Sequence, residues 1–151
     1  MINYDKIQAA ILNAVYKDPE SKKIGAAADS HFIMITYDGA SAFRIPRSDW
    51  LLNDTIIENK YNRALIDIFQ HNINWIEHDD TIYTIYKKQY YMIEIDNKKM
   101  YLNKKSFDLY KSASKYEEIT LSCAGFRKPV FIYVNHASCI GCMMPFIKKG
   151  E

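Results

Sequence analysis

Apolar residues first recur at helical spacing at Tyr4, Ile7, Ile11, Ala14 and Val15. This one-sided stripe predicts an amphipathic helix. Asn3 stands where a cap is needed and Pro19 where a helix must stop, which bounds it at about 3–18. Asp5, Lys6, Gln8, Asn13 and Lys17 fall on its solvent side. The period then changes to two. Residues 23–29 read as a short strand. Residues 31–37 read as a second, with Ile33, Ile35 and Tyr37 on one face and Phe32, Met34 and Thr36 on the other. Asp38-Gly39 is a hairpin signal. A third strand, 40–45, is closed by Pro46.

Residues 47–80 are less regular. The stretch 47–52 reads as a helical turn or docking loop, and 59–71 as a helix with Tyr61, Leu65, Ile68 and Phe69 inward. This connection is where an inserted functional element would sit. Strands return at 81–87, 89–95 and 99–102, with Asp96-Asn97 as a turn. Asn103 caps a second helix, 104–115, with Phe107, Tyr110 and Ala113 or Ser114 inward. Strands at 117–123, 129–134 and 139–146 follow. The last two form a hairpin too apolar to stand alone. It is expected to join one sheet with the strands at 23–45.

The order helix–strand–strand–strand thus occurs twice, over about 3–46 and about 103–146, joined by a variable connection. A doubled unit with consecutive hairpins predicts an α+β fold with antiparallel sheet and helices on one face. The 151 residues are read as a single domain, 1–151.

Composition narrows the function little. The net charge of +2 lacks the strong basic excess of a dedicated DNA-binding domain. The 12 tyrosines suit either a core with polar tips or an interaction surface. The odd set Cys123, Cys139 and Cys142 reads as buried free thiols in a reducing compartment. No signal peptide is read at the start and no run of about 18 apolar residues occurs, so the expectation is a cytoplasmic protein without a membrane span.

Two stretches carry a resemblance. Ile35-Thr36-Tyr37-Asp38-Gly39-Ala40-Ser41-Ala42-Phe43-Arg44-Ile45 resembles the pattern in bacterial DNA polymerase sliding clamps where a strand ends in Thr-Asp-Gly and the next strand brings an Arg. Tyr37 here interrupts that motif. Ile140-Gly141-Cys142-Met143-Met144-Pro145-Phe146 resembles the clamp C-terminus, an apolar strand followed by Met-Pro-Met, with Phe146 replacing the last Met. The order of elements is similar too. A clamp subunit has three such domains, and this chain has room for one. The resemblance implies a single clamp-like domain that closes a ring only as a homo-oligomer.

It also implies sites. Clamp helices face DNA with lysines and arginines, which here selects Lys104, Lys105, Lys111 and Lys115, with Arg44 as a further cation. Arg47, Lys60 and Arg63 are further cationic candidates. The ordinary alternative for the helix lysines is a solvated face. Clamps take linear peptides in an apolar cleft near the C-terminus, which selects Met144, Pro145 and Phe146. The ordinary alternative is a core strand.

Other chemistry is weakly supported. His136, Cys139 and Cys142 share a metal-like spacing. On a regular strand, however, positions 139 and 142 point to opposite faces, so no metal site is expected. No glycine-rich phosphate loop occurs. His71, His78, Asp79 and Asp80 cluster in sequence but read as a solvated turn before the strand at 81. The expectation is a non-enzymatic protein without a cofactor, acting on DNA or on a DNA-processing partner. The alternative is a small inhibitor encoded by a phage or mobile element, blocking a host defence nuclease or sequestering a ligand.

Overall fold

A computed structural model describes residues 1–149. Helix α1 (Tyr4–Lys17) opens the chain, with the Asn3 side chain accepting from the Lys6 N–H. Strands β1 (Gly25–Ala28), β2 (Phe32–Thr36) and β3 (Ser41–Pro46) follow as antiparallel neighbours. The connection holds a 3₁₀ turn (Arg47–Asp49), α2 (Thr55–Asn59), α3 (Ala64–Ile68) and β4 (Trp75–Ile76). Next come β5 (His78–Ile85), β6 (Lys88–Ile95) and β7 (Lys98–Asn103). Helix α4 (Lys104–Ala113), capped by the Asn103 side chain at the Ser106 N–H, leads into β8 (Ile119–Cys123), β9 (Val130–Val134) and β10 (Ser138–Met143).

The fold is α+β. A seven-stranded antiparallel sheet runs β1-β2-β3-β10-β9-β8-β4, and β5-β6-β7 form a second, three-stranded sheet. The two helix–three-strand units meet where β3 pairs with β10, placing Phe43 opposite Gly141 and Ala42 opposite Cys142. The apolar hairpin β9–β10 therefore lies at the centre of the large sheet, continuous with the strands at 25–46.

Alternation along the strands decides what each face buries. Ile35, Phe43, Ile45, Val130, Ile132, Val134 and Ile140 enter one core with Ile7 and Ile11 of α1 and Phe107, Tyr110 and Ala113 of α4. The two long helices thus share one face and pack on each other. Tyr91, Ile93, Met100 and Leu102 bring the small sheet into that same core. Gln8, expected in solvent, is buried instead. Its amide donates to Asp49 O (2.7 Å) and accepts from the Leu51 N–H (2.7 Å), fixing the 3₁₀ turn against α1.

The connection departs from the expected single helix over 59–71. The edge strand β1 needs partners for its outer amide groups. Ala26 finds them in Lys60 O (2.8 Å) and the Asn62 N–H (2.7 Å). Residues 60–62 must then be extended, and the helix splits in two. Tyr61, expected inward, is 56% exposed as a result. The chain continues across the second face of the large sheet, where Leu65, Ile66 and Phe69 cover Met34, Phe131 and Tyr133. It ends as β4 beside β8, Trp75 opposite Ser122. One edge of the large sheet is therefore covered by residues 60–62, and the other is a strand of two residues. Among the described residues no helix is long and apolar enough to cross a membrane.

Candidate functional site

The β5–β6 hairpin turns through Tyr86 and Lys87, at φ 50° and 68°. Two consecutive left-handed residues make the tight turn that matches strand twist, but this turn normally draws Asn and Gly. Neither Tyr nor Lys is at ease there, and a left-handed conformation costs about 1–2 kcal/mol per residue.

That turn faces the first turn of α4 across an open concavity of about 710 Å³. Lys87 and Lys88 line it from the hairpin, and Lys104 and Lys105 from the helix. Among the described residues one carboxylate stands in its wall, Asp108, and it is already engaged. It accepts from Lys104 Nζ (2.6 Å) and from the Tyr91 hydroxyl (2.7 Å). Burial works to raise the Asp108 carboxyl, but these two donors outweigh it and hold it below its ordinary value. Burial, reinforced by Asp108, pushes the Tyr91 hydroxyl up to about 12, so it remains a donor. Lys87, Lys88 and Lys105 have no ion-pair partner among the described residues. Four lysines against one neutralised aspartate concentrate more charge here than the +2 of the whole chain. The arrangement suits a polyanion with several phosphates.

The expected helix stripe is distributed differently. Lys104 and Lys105 enter the concavity. Lys111 turns towards the small sheet, 5.1 Å from the Tyr91 ring centroid and 3.9 Å from Asp80. Lys115 lies past the end of α4 beside the Tyr116 ring. Arg44 stands apart, because it sits on the second face of the large sheet with its guanidinium 3.5 Å over the Phe32 ring. The lysines at 87 and 88 were missed by sequence reasoning. Their signal was the pair of basic residues at a turn without Gly or Asn.

The expected apolar ending divides at Pro145, which lacks the N–H a ladder needs. Strand β10 stops at Met143 rather than running to 146. Phe146 exchanges two backbone hydrogen bonds with Tyr101 (2.9 and 2.7 Å) and stacks on Tyr90 at 5.2 Å. It therefore fastens the small sheet to the large one. Pro145 is half-buried, while Met144 is 49% exposed.

Cys139 and Cys142 do not point to opposite faces as regular alternation predicts. A register shift between Cys139 and Gly141 places both cysteines on the same face, among Phe131 and Tyr133. Burial pushes their thiols up to about 11 and about 12. Among the described residues no three of His, Cys, Asp and Glu gather as a metal site would require. The expected turn at 78–80 is instead the start of β5, with His78 opposite Ile93. A shift between His78 and Ile82 loops out the two aspartates, and Asp79 accepts from the Thr81 N–H and hydroxyl. His71 lies far along the other face, stacked on Phe131 at 3.4 Å. Its Nδ1–H donates to Phe69 O, so its Nε2 accepts from the Tyr133 hydroxyl.

No protein-family model, curated protein or solved structure matches the chain.

Proposed function

We propose that this protein is a non-enzymatic, clamp-like binding protein that holds the backbone of nucleic acid at the lysine-lined concavity. The observation that carries the reading is the convergence of Lys87 and Lys88 with Lys104 and Lys105, from two segments, around one engaged carboxylate. Phosphates are recognised there by positioned positive charge, independent of base sequence. The paired helix–three-strand units joined at β3 and β10 support the clamp-like part of the reading.

The mode of binding differs from ring encirclement. The small sheet packs over the Tyr91-facing side of α4, and the edges of the large sheet are covered or short. The protein acts as an open, one-sided binder. An electrophoretic shift of labelled DNA, with light scattering on the free protein, tests this. A shift at low salt that is lost at high salt, given by a monomer, supports the proposal. No shift at low salt contradicts it, as does a closed multimer that binds only circular DNA.

A further inference from the structure

We infer that the concavity is one end of a longer track that takes a single strand of nucleic acid, running over the β2–β3 turn to a second basic concavity beside β1. This inference rests on the nucleic-acid reading and specifies its substrate.

The second concavity, of about 530 Å³, is lined by Lys22, Lys23 and Lys60, and among the described residues no carboxylate contributes to its wall. Its other walls include Asn62 and the ring of Tyr61. Lys60 Nζ donates to Ser21 O at 3.4 Å, and none of the three lysines has an ion-pair partner among the described residues.

The two concavities are joined by a short chain of contacts. Gly39, which also lines the second concavity, lies against the Lys23 stem. Its neighbour Asp38 accepts from the Ser106 hydroxyl of α4 at 3.4 Å, and Lys105 precedes Ser106. The tight passage is held by the turn itself. Asp38 accepts from the Ala40 and Ser41 N–H groups (2.9 and 2.8 Å), and Gly39 takes φ 76°, which a side chain would strain. Four lysines thus line the first concavity and three the second, with the Asp38 turn between them.

An exposed aromatic ring lines the second concavity: Tyr61, 56% exposed on its extended segment. Tyr86, 74% exposed at the hairpin tip, does not line the first concavity, and its ring meets Phe146 edge-on at 6.5 Å. Cations beside an exposed ring are the recognition mode of single strands, whose unpaired bases stack on aromatics while the backbone follows the charge. A duplex hides its base faces and gains nothing from the ring.

Fluorescence anisotropy of labelled oligo-dT and of a duplex of equal length, across a salt series, tests the inference. The track predicts tighter binding of the single strand. It predicts that Lys22→Ala with Lys23→Ala and Lys60→Ala lowers the salt slope for oligo-dT by about 2. Tyr61→Ala weakens oligo-dT binding about tenfold, and Tyr61→Phe restores it. Equal affinity for duplex with a silent Tyr61→Ala variant overturns the single-strand assignment and leaves the proposed function standing. A slope that responds to Lys87, Lys88 and Lys105 but not to Lys22, Lys23 and Lys60 overturns the track alone. Absence of binding to either nucleic acid overturns both readings.

Discussion

The Tyr110 hydroxyl reaches across the seam between the two structural units only because residue 141 is glycine. The hydroxyl donates to Ala42 O (2.8 Å) and Cys142 O (3.2 Å), carbonyls on the two strands that pair at the centre of the large sheet. A Cβ at 141 would fall inside van der Waals contact with Ala42 O and the Tyr110 hydroxyl and ring. The ring of Tyr110 also packs on Phe43 at 4.9 Å. Helix α4 is thereby fastened at its middle to both units. Gly141→Ala is expected to destabilise the protein by about 3 kcal/mol through overpacking. Tyr110→Phe removes one buried donor, at a cost of about 1–2 kcal/mol. Denaturant unfolding of both variants checks the order, and a Gly141→Ala protein as stable as the parent contradicts the seam.

On the proposed function, the hairpin tip gives up stability for binding. Replacing Tyr86-Lys87 by Asn-Gly puts favoured residues at both left-handed positions. The variant should be more stable by about 1 kcal/mol, read as a raised Tm. It should also bind nucleic acid more weakly. A variant that is both more stable and an equal binder would show that the turn serves no function.

Two histidines make stability depend on pH. Burial lowers His71 below the ordinary 6.5, with the Phe69 carbonyl opposing it. Burial likewise lowers His78, with Asp80 opposing it. Below 6.5 the unfolded chain takes up protons that the folded chain refuses, so stability is complete above that value. It falls as pH drops towards the lower folded values. Thermal melts between pH of about 7 and about 5 should show a falling Tm. The slope should flatten in a His71→Phe, His78→Phe protein, and an unchanged slope would assign it to other groups.

The thiols should be inert. Cys139 and Cys142 are buried with raised pKa values, and burial also raises Cys123. Only the thiolate reacts rapidly. A neutral thiol reagent should therefore label the native protein slowly and all three cysteines at once on unfolding. Rapid labelling of one native cysteine would contradict this.

Much of the fold was legible because single elements state their own periodicity. The stripe of Ile7 and Ile11, the caps Asn3 and Asn103, and the alternation of Phe32 to Tyr37 each report local geometry. What was illegible depends on distant partners. The helix expected over 59–71 breaks because Ala26 needs hydrogen bonds, and nothing in residues 59–71 reveals that need. Gln8 is buried because the main chain of Asp49 and Leu51 comes to it. Cys139 and Cys142 share a face because of a register shift that alternation cannot anticipate. The candidate site shows the same division. Lys104 and Lys105 were visible as helix lysines, but their companions at 87 and 88 lie on a different element and are joined only by the packing of the small sheet. Phe146 reads as a partner anchor or as a core residue until its pairing with Tyr101 is seen.

The central claim is that the concavity between the β5–β6 turn and α4 binds a phosphate backbone through Lys87, Lys88 and Lys105. The most direct measurement is the slope of log binding constant against log salt concentration, for the parent and for the Lys87→Ala, Lys88→Ala, Lys105→Ala protein. The account predicts a steep negative slope for the parent and a slope smaller by about 2 in the variant. Parallel slopes, with the same affinity in both proteins, would contradict it.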